Sequence, residues 1–122
     1  LHGGRAVKLI GDEVLFVAPT LGSAAQIALD LVHTAEEQVQ FRSGLAFGAT
    51  VDLGGDVFGP TVNLASRLTT IARPGTVVVP VHVTDQLEGH DDLVVRRISR
   101  KYDLKGIGPT RIASVARLTE MN

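Results

Sequence analysis

Two short segments hold most of the side chains able to do chemistry. In Val7-Lys8-Leu9-Ile10-Gly11-Asp12-Glu13, a lysine and an aspartate lie on opposite limbs of a tight turn. An ammonium there donates hydrogen bonds, and a carboxylate can take a hard cation. The same residues also describe a solvated surface turn carrying a charge pair of little energetic weight. In Gly55-Asp56-Val57-Phe58-Gly59-Pro60-Thr61-Val62-Asn63-Leu64-Ala65-Ser66-Arg67, Asn63 and Arg67 stand one helical turn apart and project from one face, while Asp56 sits in the approach to that helix. An amide stacked before a guanidinium suits an anion. Read otherwise, the pair is an exposed polar stripe opposite the apolar face of Val62, Ala65, Leu68 and Ile71.

The remaining candidates carry less. Lys105 precedes a glycine in Leu104-Lys105-Gly106, as solvated turn lysines do. His2, His33, His82 and His90 are too widely spaced to form a metal-ligand pattern. Asp91-Asp92 and the basic group Arg96, Arg97, Arg100 and Lys101 read as solvated charge.

These residues need elements to hold them. Arg5 to Ile10 and Glu13 to Ala18 read as two strands of a hairpin closed by Gly11-Asp12. Leu21 to Gln38 has helical spacing through Ala24, Ile27, Ala28, Leu31, Val32 and Ala35. Phe41 to Phe47 and Ala49 to Leu53 read as a second pair of strands, with Gly54-Gly55-Asp56 as a turn. Pro60 stands where a first-turn proline is tolerated, so a second helix is expected over Thr61 to Ala72. Beyond the Arg73-Pro74-Gly75 break come a buried strand over Thr76 to Val79, a short helical stretch over Val83 to Leu87, and strands over Leu93 to Ile98 and Arg111 to Leu118. The order predicts an α+β fold, a ferredoxin-like antiparallel sheet with helices on one face.

The 122 residues, with 44% hydrophobic and 20% charged residues, fall in the range of a single compact domain, which is the expectation. Twelve Lys and Arg against thirteen Asp and Glu give a net charge of −1, which supplies no overall attraction to nucleic acid or an anionic membrane. The absence of cysteine excludes disulfides and thiolate metal sites and suits a reducing, cytoplasmic setting. No apolar run is long enough to span a bilayer, so no membrane insertion by this segment is expected.

Taken together, the ordered segments resemble the class III adenylate and guanylate cyclase catalytic domains, of the bacterial adenylate cyclase type. The resemblance rests on the Lys-x-x-Gly-Asp hairpin, on the Phe-Gly-Pro-x-Val-Asn-x-Ala-x-Arg helix start, and more loosely on Pro74-Gly75 and on Leu104-Lys105-Gly106 to Val115. It implies that Asp12 binds Mg²⁺ or Mn²⁺, that Lys8 and Asp56 read the purine, and that Asn63 and Arg67 act on ribose and phosphate. Lys105 would reach the terminal phosphates. Adenine offers an acceptor at N1 and a donor at its amine, matching an ammonium and a carboxylate, whereas guanine reverses the pattern; the pair therefore implies ATP.

The resemblance further implies conversion of ATP to 3′,5′-cyclic AMP and pyrophosphate in a C2 homodimer, with Asp12 of one chain serving Lys8, Asp56, Asn63 and Arg67 of the other. The family carries a second metal-binding aspartate, for a two-ion site, on a first strand that residues 1–122 do not contain. The chain is therefore expected to be a catalytic domain incomplete at its N-terminus, whose parent chain can carry regulatory domains. A non-catalytic regulatory or dimerisation module of the same fold is the alternative. A ferredoxin-like nucleic-acid binder is disfavoured by four Phe, one Tyr and the charge of −1.

Overall fold

A computed structural model of the chain describes residues 2–34 and 40–120. Its elements run β1 (Arg5–Ile10), β2 (Glu13–Val17), α1 (Leu21–Thr34), β3 (Ser43–Gly44), β4 (Val51–Leu53), β5 (Asp56–Phe58), α2 (Pro60–Ile71), β6 (Val77–Pro80), β7 (Leu93–Leu104) and β8 (Gly108–Arg117), with 3₁₀ segments at Val81–Leu87 and Leu118–Glu120. The expected α+β class holds. The central sheet has the order β3-β6-β8-β7, and β1-β2 and β4-β5 form separate hairpins.

Within the central sheet β3 pairs parallel to β6, while β6-β8 and β7-β8 are antiparallel. The helices lie on opposite faces of this sheet and not on the one face expected. Leu21, Ala25, Ala28, Leu29 and Val32 of α1 pack with Val77, Val79, Ala113 and Val115, whereas Leu68 and Ala72 pack with Val78 and Ile112. Successive residues of a strand face opposite ways, so the two helices cover opposite faces. The uninterrupted valines of β6 are the sequence mark of that arrangement: a strand buried on both sides has no polar face to alternate with.

Both helix starts are locally determined. Thr20 and Ser23 cap α1 reciprocally, the Ser23 amide donating to Thr20 Oγ1 at 3.0 Å and the Thr20 amide to Ser23 Oγ at 3.2 Å. The part of the expected first helix beyond Thr34, through Gln38, lies outside the described residues. In α2, Gly59 precedes Pro60 with φ 123°, a conformation disfavoured for any other residue, and Pro60 begins the first turn. Gly44 lets β3 press against α2, since a Cβ there would collide with the backbone at Leu68 and Thr69. The Gly44 amide also donates to Thr69 Oγ1 at 3.0 Å.

The region between the helices departs from expectation. Of Phe41 to Phe47 only Ser43–Gly44 is strand, and it joins the central sheet instead of pairing with the segment that follows. The second hairpin is formed by Val51–Leu53 and Asp56–Phe58 about Gly54 and Gly55, with φ 61° and 83°. Positive φ at both central positions suits a type I′ turn, which favours Gly-Gly. The strand expected over Leu93 to Ile98 runs on to Leu104, its register slipping between Arg97 and Lys101.

Arg117 locks α1 to the end of β8. Its guanidinium donates to Asp30 Oδ1 at 2.6 Å and to the Gln26 side-chain oxygen at 2.8 Å, while Gln26 Nε2 donates to Asp92 at 2.8 Å. Arg117 and His2, the latter 3.2 Å from Asp30, hold the Asp30 carboxyl below the ordinary carboxylate range, Arg117 having the larger effect. Among the described residues no helix is long and apolar enough to cross a membrane.

Candidate active site

Lys8 is positioned by an irregularity. In the β1-β2 ladder Ala6 pairs with Phe16 but Lys8 pairs with Leu15, so the alternation slips at Val7. A bulge of this kind re-aims the side chains that follow it. Gly11, at φ 59°, then opens the two-residue turn that brings Asp12 to the hairpin tip.

The second hairpin presents Asp56 at the first position of β5. Lys8 Nζ donates to Asp56 Oδ2 at 2.7 Å, joining segments 48 residues apart in sequence. The other carboxylate oxygen accepts from the Val57 amide at 2.8 Å. Lys8, first, and the Val57 amide hold the Asp56 carboxyl below its ordinary range, so it stays ionised. Lys8 Nζ also lies 5.7 Å from the centre of the Phe58 ring, within cation-π range. The pair retains capacity for a ligand: an ammonium has three donors, and each carboxylate oxygen accepts more than one hydrogen bond.

Next to this pair runs a cleft of about 670 Å³ whose wall includes Lys8, Asp12, Phe58, Thr61 and Asn63. Asn63 lies in the first turn of α2, its amide bonded to the Gly59 carbonyl at 3.1 Å, and both Asn63 and Arg67 are exposed. The structure thus gathers Lys8 and Asp56 into one contact and places Lys8, Asp12 and Asn63 along one cleft. Arg67 follows Asn63 by one turn outside the cleft wall, with no ion pair among the described residues. Lys105 stands apart, exposed in the turn joining β7 to β8 and outside that wall.

Among the described residues no three His, Cys, Asp or Glu side chains gather where they could hold a metal ion. Asp12 offers a single carboxylate, so these residues do not by themselves fit Mg²⁺ or Mn²⁺.

Sequence reasoning missed Phe58 and the Val57 amide. Phe58 was visible only as part of Phe-Gly-Pro; its place beside Lys8 depends on the packing of β1 against β5. The flanks of the site are unusually apolar: Leu9, Ile10 and Val14 on the first hairpin, and Val51, Leu53 and Phe58 on the second, are all exposed, Leu9 by 75% and Leu53 by 70%.

The family model described as "Adenylate and Guanylate cyclase catalytic domain" matches residues 4–115. The chain is 51% identical over 89 residues to a protein of Streptomyces coelicolor named adenylate cyclase, covering 70% of this chain and 23% of that one. It is 51% identical over 79 residues to an adenylate cyclase of Glutamicibacter nicotianae, covering 62% and 20%. The chain thus spans less than a quarter of the length of these curated relatives. Among solved structures, an adenylate/guanylate cyclase/hydrolase from Silicibacter pomeroyi superposes with a TM-score of 0.78 at 28% identity, covering 93% of this chain and 71% of that one.

Proposed function

The chain belongs to the adenylate and guanylate cyclase catalytic domain family, and from that premise we propose that residues 1–122 are part of an adenylate cyclase domain, converting ATP to 3′,5′-cyclic AMP and pyrophosphate at a homodimer interface. The observation that carries the choice of ATP is the Lys8–Asp56 contact of 2.7 Å beside the cleft. Lys8 donates to adenine N1 and Asp56 accepts from the adenine amine. Guanine would set a donor against Lys8 and an acceptor against Asp56, leaving polar groups unpaired. The adenylate cyclase names of relatives at 51% identity support the same nucleotide.

In the reaction the ribose 3′-oxygen attacks the α-phosphorus, the bond from that phosphorus to the bridging oxygen breaks, pyrophosphate leaves and the hydroxyl proton is lost. Asn63 orients the ribose. Arg67 neutralises charge that builds on the α-phosphoryl oxygens as the bonds exchange, a contact strongest in the transition state. Lys105 is assigned to the terminal phosphates on the family resemblance alone. Asp12 would supply one carboxylate to a divalent cation, which would polarise the phosphate oxygens.

The exposed apolar side chains of the two hairpins support the dimer. They lie on the same two hairpins as Lys8 and Asp56, and large hydrophobics left exposed in such number mark a surface that a partner covers. A second copy is the partner that would let Asp12, although it borders the same cleft as Asn63 of its own chain, serve the neighbouring pocket in a two-fold assembly. The direct test incubates the purified whole protein with ATP and Mg²⁺ or Mn²⁺ and separates the products. Equimolar cyclic AMP and pyrophosphate are expected; hydrolysis to ADP, or no turnover by a folded dimer, would overturn the reading.

A further inference from the structure

The long β7-β8 hairpin carries a charge arrangement that the proposed reaction does not use. Arg97 pairs with Ala113 and Lys101 with Arg111, and the register slips between them. Since Arg111 and Ala113 are two residues apart on one strand, they share a face, and their partners share it too. Arg97, Lys101 and Arg111 therefore stand together on the face opposite Ile112, with Lys101 and Arg111 directly across from each other. Like charges so placed repel.

One acid shares their face: Asp103, paired with Pro109, stands two residues beyond Lys101 but forms no ion pair with any of the three. None of the three forms an ion pair among the described residues, and all are exposed. At the register slip the extra residues open a hollow of about 370 Å³ whose wall includes Arg97, Ser99 and Arg111. The hollow is partly ordered from within: Arg111 donates one N–H to the Ser99 carbonyl at 3.1 Å, which orients its guanidinium and leaves its other donors free. None of the three cations lines the cleft beside Lys8.

We propose that Arg97, Lys101 and Arg111 form an accessory site for a small phosphate-bearing ligand at the bulge of the β7-β8 hairpin. Guanidinium forks match the geometry of phosphate oxygens, and a doubly charged oxyanion removes the repulsion between Lys101 and Arg111. The hollow has room for inorganic phosphate or pyrophosphate.

The test uses the ¹⁵N-labelled whole protein, following the backbone amide resonances of the β7-β8 hairpin in every variant and the arginine Nε–Hε resonances where present, with Arg97→Gln and Arg111→Gln to assign the latter. Inorganic phosphate and pyrophosphate are titrated separately, against sodium chloride at matched ionic strength. Saturable shifts at Arg97 and Arg111 are expected with one or both phosphates, and the doubly substituted protein should bind at least tenfold more weakly. Lys101→Gln, which leaves the hollow's walls intact, should weaken binding about threefold and serves if the double variant fails to fold. Shifts that do not saturate, that chloride reproduces, or that survive Lys101→Gln and the double substitution unchanged would overturn the proposal. Saturation by a polyglutamate peptide and by neither phosphate would also overturn it, in favour of a carboxylate-bearing partner.

Discussion

Lys8 and Asp56 meet at 2.7 Å across two hairpins that share no hydrogen-bonded strand ladder. An ion pair this exposed contributes little to stability, because solvent screens it and two side chains must be held still. Its geometry matters more for recognition. Asp56 is fixed at one oxygen by the Val57 amide and Lys8 is flanked by Phe58, so a donor and an acceptor are held side by side at a cleft.

The ionisation of Asp56 should depend on Lys8. With Lys8 present, its carboxyl lies below the ordinary value of 3.8, chiefly through the Lys8 hydrogen bond. Lys8→Met should raise the Asp56 midpoint toward that value, read from the side-chain carboxyl ¹³C shift across a pH titration. An unchanged midpoint would mean that the two groups are apart in solution.

Stability should fall in acid through Asp30. A carboxylate whose native pKa is depressed stabilises the fold fully above its unfolded pKa and loses that contribution as pH drops through the native value. For Asp30, held down mainly by Arg117, the loss falls below about pH 4. Arg117→Ala should cost about 1 kcal/mol at neutral pH, since Asp30 is partly exposed and screened. It should also flatten the acid dependence, measured by urea melts at several pH values. A melt unchanged by the substitution at pH 7 would leave the Arg117 network without energetic weight.

Arg67→Ala should lower kcat by roughly a hundredfold or more with a modest change in KM, the pattern of a contact made chiefly in the transition state. A variant altered in KM alone would make Arg67 a ground-state contact.

A site shared between two chains makes lesions complementary. Asp12→Ala and Asn63→Ala homodimers should each be nearly inactive. In a random mixture about half the dimers are mixed, each with one intact pocket, so up to about a quarter of the sites should recover. Exchanging dimers that stay as inactive as their parents would place both residues in one pocket.

Much of this was legible in order and spacing. Lys8, Asp12, Asn63 and Arg67 stand out because they fall at a turn or one helical turn apart, where local geometry alone sets their relations. The short strand Asp56–Phe58 was hidden because its first residue reads as turn and its run is too brief for a period to show. The slip at Val7 was invisible for a different reason, since a bulge depends on the partner strand and leaves no mark on one strand's alternation. Gly44 read as part of a longer strand; only the close approach of α2 explains it. The placement of one helix on each face was written in Val77-Val78-Val79, but a short apolar run does not say what covers it.

Whether Lys8 and Asp56 read adenine is decided by kcat/KM for ATP and GTP, measured side by side on the whole protein and on a Lys8→Glu, Asp56→Ser variant. The unmodified protein should prefer ATP by more than tenfold, about 1.4 kcal/mol or more. The variant, which offers guanine an acceptor and a donor in place of the reverse, should lose most of that preference. Equal turnover of the two nucleotides by the unmodified protein, or an ATP preference untouched in a folded, active variant, would contradict the account.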